Sequence, residues 1–214
     1  MITLTQVALQ RATGCTPTRA ALFLPFLIGA MKAYDINTPR RAAGFLSQIA
    51  HESDRLETLE ENLNYSVEAL LKMFGRHRIS EQDARRLGRT ATRPADQQGI
   101  ANCIYGGPWG LANLGNSQPG DGWRYRGQGL KQLTGRANAA ACSNALGEDF
   151  INYPERLLLP VNAALSAGWF WSTHGCMAFA DAGNITALTK AINGGNNGLK
   201  ERVALYGQAL QVLA

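Results

Sequence analysis

A mainly helical fold in one domain, with a helical part and a loop-rich part, is what this sequence predicts. Apolar residues repeat at helical spacing toward both ends of the chain, Thr-Pro pairs stand where helices would begin, and glycine gathers in one central stretch. At 214 residues the chain can bury a sizeable core and fits one domain. Its composition, 45% hydrophobic and 17% charged, argues for a packed protein over a disordered one.

Residues 3 to 13 read as a short amphipathic helix closed by Gly14. Thr16-Pro17 restarts the chain into a second helix, where Leu22, Phe26 and Ala30 mark an apolar face running to about Tyr34. Thr38 stands as an N-cap with Pro39 in the first turn of a third helix, and Ser66 opens another with Glu68, Ala69, Leu70 and Leu71. Arg76, Arg78, Arg85, Arg86, Arg89 and Arg93 then crowd 76 to 93 with few acids among them. That run suits a solvated helix face, and alternatively a face for wall or phosphate groups, since guanidinium pairs with phosphate and carboxylate.

Gly99 to Gly129 is too rich in glycine, asparagine and proline for a long helix. Its aromatics, Tyr105, Trp109, Trp123 and Tyr125, suit either stacking on sugar rings or closing a minor core. Helices resume over 137 to 146 and over 160 to 171, the latter with Val161, Ala164, Leu165, Gly168 and Trp169 as a core stripe. Asn184 caps a short helix bearing Ile185, Leu188 and Ile192, which ends at Asn193-Gly194-Gly195. Leu199 to Leu213 is the last helix, with Val203, Leu210 and Val212 partly inward and Arg202 beside them. Little beta structure is expected.

Lysine plus arginine exceed acids by 21 to 16, a net charge of +5 with pI near 9.2. The excess suits an anionic polymer such as a bacterial wall or nucleic acid. Nucleic acid is the weaker match, because no aromatic residue lies among the arginines between Phe74 and Tyr105. Arg126-Gly127-Gln128-Gly129 has no phosphate-loop context, so a nucleotide fold is not expected. Four widely spaced cysteines without a CxxC pair argue against a zinc ribbon or a disulfide scaffold. No metal and no cofactor is expected, and His174 near Cys176 reads as a helix end. The longest uncharged apolar run, 20 to 31, is too short to span a bilayer and too deep in the chain for a signal peptide. A buried helix, no stable membrane anchor and no Sec signal are the expectations.

Chemistry concentrates from Phe45 to Ser66, FLSQIAHESDRLETLEENLNYS. At about 100° per residue, Phe45, Ile49 and Glu52 share one side of the third helix. An acid on a buried stripe loses hydration and holds its proton more tightly, as a general acid must. Asp54, Glu57, Glu60 and Glu61 follow before the chain turns polar at Asn62, Asn64 and Tyr65. One acid in an apolar setting and another in a polar one divide acid from base. The same spacing also fits a core helix whose last acid reaches water, followed by a solvated acidic loop.

Six pieces, in order from about residue 40 to the C-terminus, resemble glycoside hydrolase family 19, the plant-type chitinases and their phage endolysin relatives. They are Ala50-His51-Glu52-Ser53, Glu61-Asn62-Leu63-Asn64-Tyr65-Ser66, Gly122-Trp123-Arg124-Tyr125-Arg126-Gly127, Gln132-Leu133-Thr134-Gly135-Arg136, Ser166-Ala167-Gly168-Trp169-Phe170-Trp171 and Ile192-Asn193-Gly194-Gly195. The second piece and the glycine-rich centre look more like the bacterial and phage lytic enzymes than the disulfide-bearing plant chitinases. The resemblance implies a lysozyme-like, two-lobed helical fold with a substrate cleft, in a single catalytic domain over 1 to 214 whose loop-rich lobe spans about 76 to 130. It implies Glu52 as general acid, Glu61 as general base and Thr134 as a holder of the attacking water. Gln132 and Asn193 are implied to bind sugar substituents or that water, and Arg202 to meet the catalytic carboxylates. Tyr65, Trp123 and Lys131 are further substrate-binding candidates, while His51 reads as a structural hydrogen-bonding residue. Three positions depart from the family's pattern: Gln128 in place of arginine, Ala139 in place of an aromatic and Cys103 in place of a larger polar residue. They bear on substrate details more than on catalysis.

The expected activity is therefore inverting hydrolysis of β-1,4 bonds between N-acetylated amino sugars of peptidoglycan, by an endolysin whose two carboxyls stand about 6.5–9.5 Å apart around a water. Chitin, with the same linkage, is the alternative substrate. A lytic transglycosylase, which needs the acid and no base, a catalytically inactive glycan-binding protein and a nucleic-acid-binding protein are the other readings. Expected partners are the glycan strands and a separate holin, which releases a monomer made in the cytoplasm to the wall in the periplasm.

Overall fold

The computed structural model describes residues 2–214. Among the described residues, regular structure is helical, and pairing between extended residues is limited to the bridges Glu60–Gln128, Ser66–Arg89 and Gln128–Leu133. The chain forms two compact units. One holds the described chain up to Leu59, with Gly129–Gln132 and Arg156–Ala214; the other holds Glu60–Gln128 and Leu133–Glu155. In chain order the first unit contributes α1 (Gln6–Thr13), α2 (Pro17–Ala33) and α3 (Pro39–Glu52). The second contributes α4 (Val67–Met73), α5 (Glu81–Leu87), α6 (Gln97–Ile104), α7 (Gly107–Leu114), α8 (Asp121–Arg124) and α9 (Arg136–Leu146). After a 3-10 turn at Pro154–Leu158, the first unit resumes with α10 (Pro160–Thr173), α11 (Cys176–Asp181), α12 (Ile185–Asn193) and α13 (Leu199–Leu213).

In the first unit the helix starts at Thr16 and Thr38 follow the expected capping, whereas α1 begins at Gln6, later than the expected residue 3, because Thr5 caps it. The hydroxyls of Thr5, Thr16 and Thr38 accept from the backbone N–H three residues on, satisfying donors that a helix start leaves open. Gly14 closes α1 at φ 72, a left-handed conformation that glycine adopts without a Cβ clash. α13 packs along α3, α10 along α2, and α1 touches α2, α3 and α13. Phe23, Leu27, Phe45, Leu46 and Trp171 fill the interior, with Phe45 meeting Trp171 edge-on at 5.6 Å.

Several expected inward faces are corrected. Leu22 and Ile28 of α2 are exposed, and the buried stripe is Ala20, Phe23, Leu27, Ala30 and Met31. This helix is apolar nearly all round, so its periodicity does not choose a face, and it is half-buried where a buried helix was expected. Val161 and Val203 are also exposed. Small residues bring α10 inward instead, and a Cβ on Gly168 would lie 2.4 Å from Cδ2 of Tyr34. α13 turns Arg202, Leu205, Ala209 and Leu213 inward.

The second unit has its own core of Leu63, Leu70, Ile79, Leu87, Ile100 and Ile104, with Tyr65, Phe74 and Trp123 packed against it. The arginine-rich segment thus supplies core residues, while Arg76, Arg85, Arg86, Arg89 and Arg93 are exposed, as expected of a solvated face, and only Arg78 is half-buried. Arg76 donates to the Leu71 carbonyl at 2.9 Å, and Arg93 to the carbonyls of Arg85 and Gly88 at 2.7 and 2.8 Å. Arg85 and Arg86 pair with Glu81 and Asp83 along α5. Guanidinium groups here close the ends of short helices, whose last carbonyls lack intrahelical partners. The glycine-rich stretch holds the short helices α6, α7 and α8, more helix than its composition suggests. Asp121 and Arg136 form a bidentate pair at 2.6 and 2.8 Å.

The four cysteines are free. Burial pushes the thiols of Cys142 and Cys176 up to about 12. Among the described residues no helix is long and apolar enough to cross a membrane.

The close approach at Gly168 makes a testable demand. In Gly168→Ala the clash with Tyr34 exceeds the roughly 0.5–1 kcal/mol that alanine gains in a helix interior, leaving a net loss of about 1–2 kcal/mol, read from a lower urea midpoint at unchanged slope. An unchanged or higher midpoint would mean that the Tyr34 ring swings aside freely.

Candidate active site

The candidate residues fall into two clusters, each within its own unit. In the first unit Glu52 ends α3, where its side chain is largely buried. Arg202 is 2% exposed and reaches it from α13: Nη2 donates to Glu52 Oε1, and Nη1 donates to Gln48 Oε1 at 2.6 Å. Nε donates to the Asn197 carbonyl at 3.2 Å, and that carbonyl also receives the Asn193 amide at 2.9 Å. Asn193 Oδ1 in turn accepts from the Gly195 N–H at 2.8 Å. The carboxylate expected among apolar side chains therefore has a buried guanidinium as its partner, in a charge-assisted hydrogen bond.

Lys131 lies in the same unit, with its ammonium 4.2 Å from the centre of the Phe170 ring. Burial lowers its pKa, with Glu52 opposing and Arg202 adding to the lowering. Gln132 takes φ 56, and its amide donates to the Gly129 carbonyl at 3.0 Å. His51 Nδ1 is 2.8 Å from Glu201 Oε2, the hydrogen-bonding role expected of it.

Directly after Glu52 the backbone turns sharply. Asp54, Arg55 and Leu56 have φ of 46, 58 and 69, each a conformation that costs an L-residue roughly 1–2 kcal/mol. Ser53 Oγ accepts from the Leu56 N–H at 3.0 Å, Leu56 is fully buried, and Arg19 of α2 donates to the carbonyls of Leu56 and Glu57 at 2.6 and 3.0 Å.

In the second unit Glu61 is held by neutral donors. The Tyr105 hydroxyl donates to Oε1 at 2.6 Å and the Gly127 N–H to Oε2 at 3.1 Å, while the Glu61 N–H donates to the Gly127 carbonyl at 2.9 Å. Burial pushes the Tyr105 phenol up, and the charge of Glu61 and the hydrogen bond to it add to the shift, so Tyr105 stays a donor. Tyr65 packs edge-on against Phe74 with ring centres 5.4 Å apart. Burial, then the charge of Glu61, raises its pKa. Trp123 lies under the Arg126 guanidinium at 3.8 Å, and Arg126 pairs with Glu60. Thr134 is half-buried, and its carbonyl accepts from Asn138 at 2.8 Å.

Glu52, Arg202, Asn193, Lys131 and Gln132 thus belong to one unit, and Glu61, Thr134, Tyr65 and Trp123 to the other. Two residues escaped the sequence reading. Gln48 precedes Glu52 by one helical turn, a spacing that puts both on one face, so a signal was there. Tyr105 was weighed only as a sugar platform or a core aromatic, and no local pattern links it to Glu61, 44 positions away. Tyr125 is a core residue, 3% exposed with its hydroxyl donating to Ile151 O.

No protein-family model matches the chain. A Haemophilus influenzae protein described as containing a glycosyl hydrolase family 19 domain is 37% identical over 182 residues, 85% of this chain and 83% of its own length. Among solved structures, chitinase C from Streptomyces griseus superposes with a TM-score of 0.58 at 20% identity, covering 98% of this chain and 76% of that one. A bacterial family 19 chitinase gives 0.57 at 23% identity, covering 98% and 94%. At these identities the two structures establish the fold alone. The likenesses define a helical glycoside hydrolase with a lysozyme-like, chitinase-type fold. On the strength of the Haemophilus relative, the chain belongs to glycoside hydrolase family 19.

The Glu61 cluster generates a test. Tyr105→Phe keeps the ring and removes the hydroxyl; it is expected to lower kcat about tenfold with little change in KM, the scale of one hydrogen bond to a charged group. Reducing-end kinetics beside a thermal melt separate this from unfolding, and an unchanged kcat would remove Tyr105 from the site.

Proposed function

We propose that this family 19 enzyme is an endolysin that hydrolyses β-1,4 bonds between N-acetylated amino sugars of bacterial peptidoglycan. The observation that carries wall over chitin is the charge balance, 21 basic residues against 16 acidic. Chitin is uncharged, whereas muramyl peptides carry carboxylates that a basic protein attracts.

In this reading Glu52 protonates the glycosidic oxygen, oriented by Arg202 and, through it, by Gln48. Glu61 removes a proton from the attacking water, which Thr134 helps to hold, while Tyr105 and the Gly127 N–H fix the carboxylate. Gln132, Asn193, Tyr65, Trp123 and Lys131 contact the sugars. Attack of that water on the opposite side of the sugar from the leaving oxygen is single displacement with inversion, and no cofactor takes part. The protein acts as a monomer that a separate holin releases from the cytoplasm to the wall.

Chitin is the second reading. It is favoured by the two solved neighbours, both named chitinases, and the same pair of carboxylates serves its linkage.

Digestion of purified peptidoglycan and of chitin oligomers in parallel, with mass spectrometry of the products, decides between them. New reducing N-acetyl sugar ends from peptidoglycan support the proposal; cleavage confined to chitin transfers the assignment to the second reading. Anhydro-sugar ends would identify a transglycosylase instead. On the preferred polymer, Glu52→Gln and Glu61→Gln are each expected to lose on the order of 10²–10⁴-fold in rate while remaining folded. Near-normal lysis by either variant would remove that residue from its role.

A further inference from the structure

Three arginines of the second unit are half-buried: Arg78, Arg126 and Arg136. Arg126 pairs with Glu60 and Arg136 with Asp121, but among the described residues Arg78 meets no carboxylate within ion-pair distance. Its Nε donates to the Ile104 carbonyl at 2.8 Å. The guanidinium stacks 3.8 Å from the Trp109 ring centre, with the Phe74 and Tyr105 rings at 5.0 and 5.6 Å. These contacts fix the plane and aim of the group while committing one of its five N–H donors. Among the described residues its terminal nitrogens meet no acceptor, and they keep solvent access.

Partial removal of a cation from water without an anionic partner is unfavourable. Burial accordingly lowers the Arg78 pKa, opposed by Tyr105, Glu61 and Tyr65. The aromatic faces offset part of that cost, and the planar fork matches a carboxylate in bidentate fashion. The position also matters. Tyr105, whose ring flanks Arg78, donates to Glu61, so a single side chain separates the guanidinium from the proposed base.

We propose that Arg78 is a substrate-carboxylate site, through which the enzyme distinguishes muramyl units from plain N-acetylglucosamine. The proposal rests on the wall-hydrolase reading above and deepens it. A muramyl unit differs from N-acetylglucosamine by an ether-linked lactyl group, which ends either in a free carboxylate or in a peptide that bears carboxylates. Chitin has neither. The shared chemistry is a carboxylate presented beside the sugar, and Arg78 with Trp109 offers a cation next to an aromatic face.

The test is titration calorimetry of the Glu52→Gln protein, in which the probes survive, alone and combined with Arg78→Gln or Arg78→Lys. The probes are chitotetraose, a peptide-free muramyl tetrasaccharide and its peptide-bearing counterpart. Arg78→Gln is expected to weaken at least one muramyl probe about tenfold, the scale of one lost charge-assisted contact, and chitotetraose by less than about twofold. Arg78→Lys is expected to recover part of the loss. Weakening confined to the peptide-free probe assigns the lactyl carboxylate; weakening confined to the peptide-bearing probe assigns the stem peptide. Equal weakening of all three probes, or of neither muramyl probe, overturns the proposal. Amidation of the probe carboxylates provides a control on the Glu52→Gln protein with Arg78 intact: loss of the muramyl preference supports the site, and an unchanged preference refutes it. Polymer digestion reports separately on the hydrolase reading, so an enzyme that cleaves only chitin defeats that reading while the binding comparison still decides on Arg78.

Discussion

The buried guanidinium of Arg202 is the interaction on which the first unit is built. A cation shielded from water is tolerated only where its donors find acceptors, and Arg202 finds Glu52, Gln48 and the Asn197 carbonyl. Two of those acceptors lie one turn apart on α3, about 150 positions earlier in the chain, so satisfying the arginine fixes how α13 lies along α3. The segment between α12 and α13 is shaped to allow it. Gly194 and Gly198 take φ of 76 and 70, and a Cβ on Gly198 would stand 2.2 Å from the His51 ring. Asn193 and Asn197 then organise the loop between them through one shared carbonyl.

The two carboxylates are held in contrasting ways. Glu52 is bound by a full positive charge, whereas Glu61 is bound by a phenol and a backbone amide, neither of which carries one. The difference is one of anchoring: the guanidinium ties the end of α3 to α13, whereas Tyr105 and Gly127 tie Glu61 to α6 and to the loop before Gln128. The mutual backbone contact of Glu61 with Gly127 adds rigidity, because side chain and main chain are anchored to the same residue.

Much of the helical framework was legible because capping is local. Thr16, Thr38, Ser66 and Asn184 announce helix starts through side-chain acceptors, and Gly14 and Gly194 announce ends through φ. The direction in which α2 faces was not legible, since Leu22, Phe23, Phe26 and Leu27 give its surface no polar side. The short helices α6, α7 and α11 were missed because six to eight residues hold too few turns for a period to show. Of the candidate site, Glu52 stood out by its helical spacing, and Thr134, Gln132, Asn193 and Arg202 were named through family resemblance. Tyr105 and Arg78 depend on contacts far apart in sequence, which no spacing rule encodes. In the arginine-rich segment the solvated face was legible, since Arg76, Arg85, Arg86, Arg89 and Arg93 are exposed, but which carbonyls Arg76 and Arg93 also reach was not, because composition does not encode partners.

The left-handed turn at Asp54, Arg55 and Leu56 has a consequence for how the end of α3 opens. Its conformation is unfavourable by itself and is offset by the burial of Leu56 and by Arg19, 37 positions upstream of the Leu56 carbonyl. Gly14 also lies against Arg55, so the region just before α2 is part of the same support. An ordinary helix terminus frays independently, and its amide protons exchange by small local openings. Here release of the turn breaks both Arg19 hydrogen bonds and exposes Leu56, so opening of the amides that follow Glu52 is coupled to α2 instead of being independent of it.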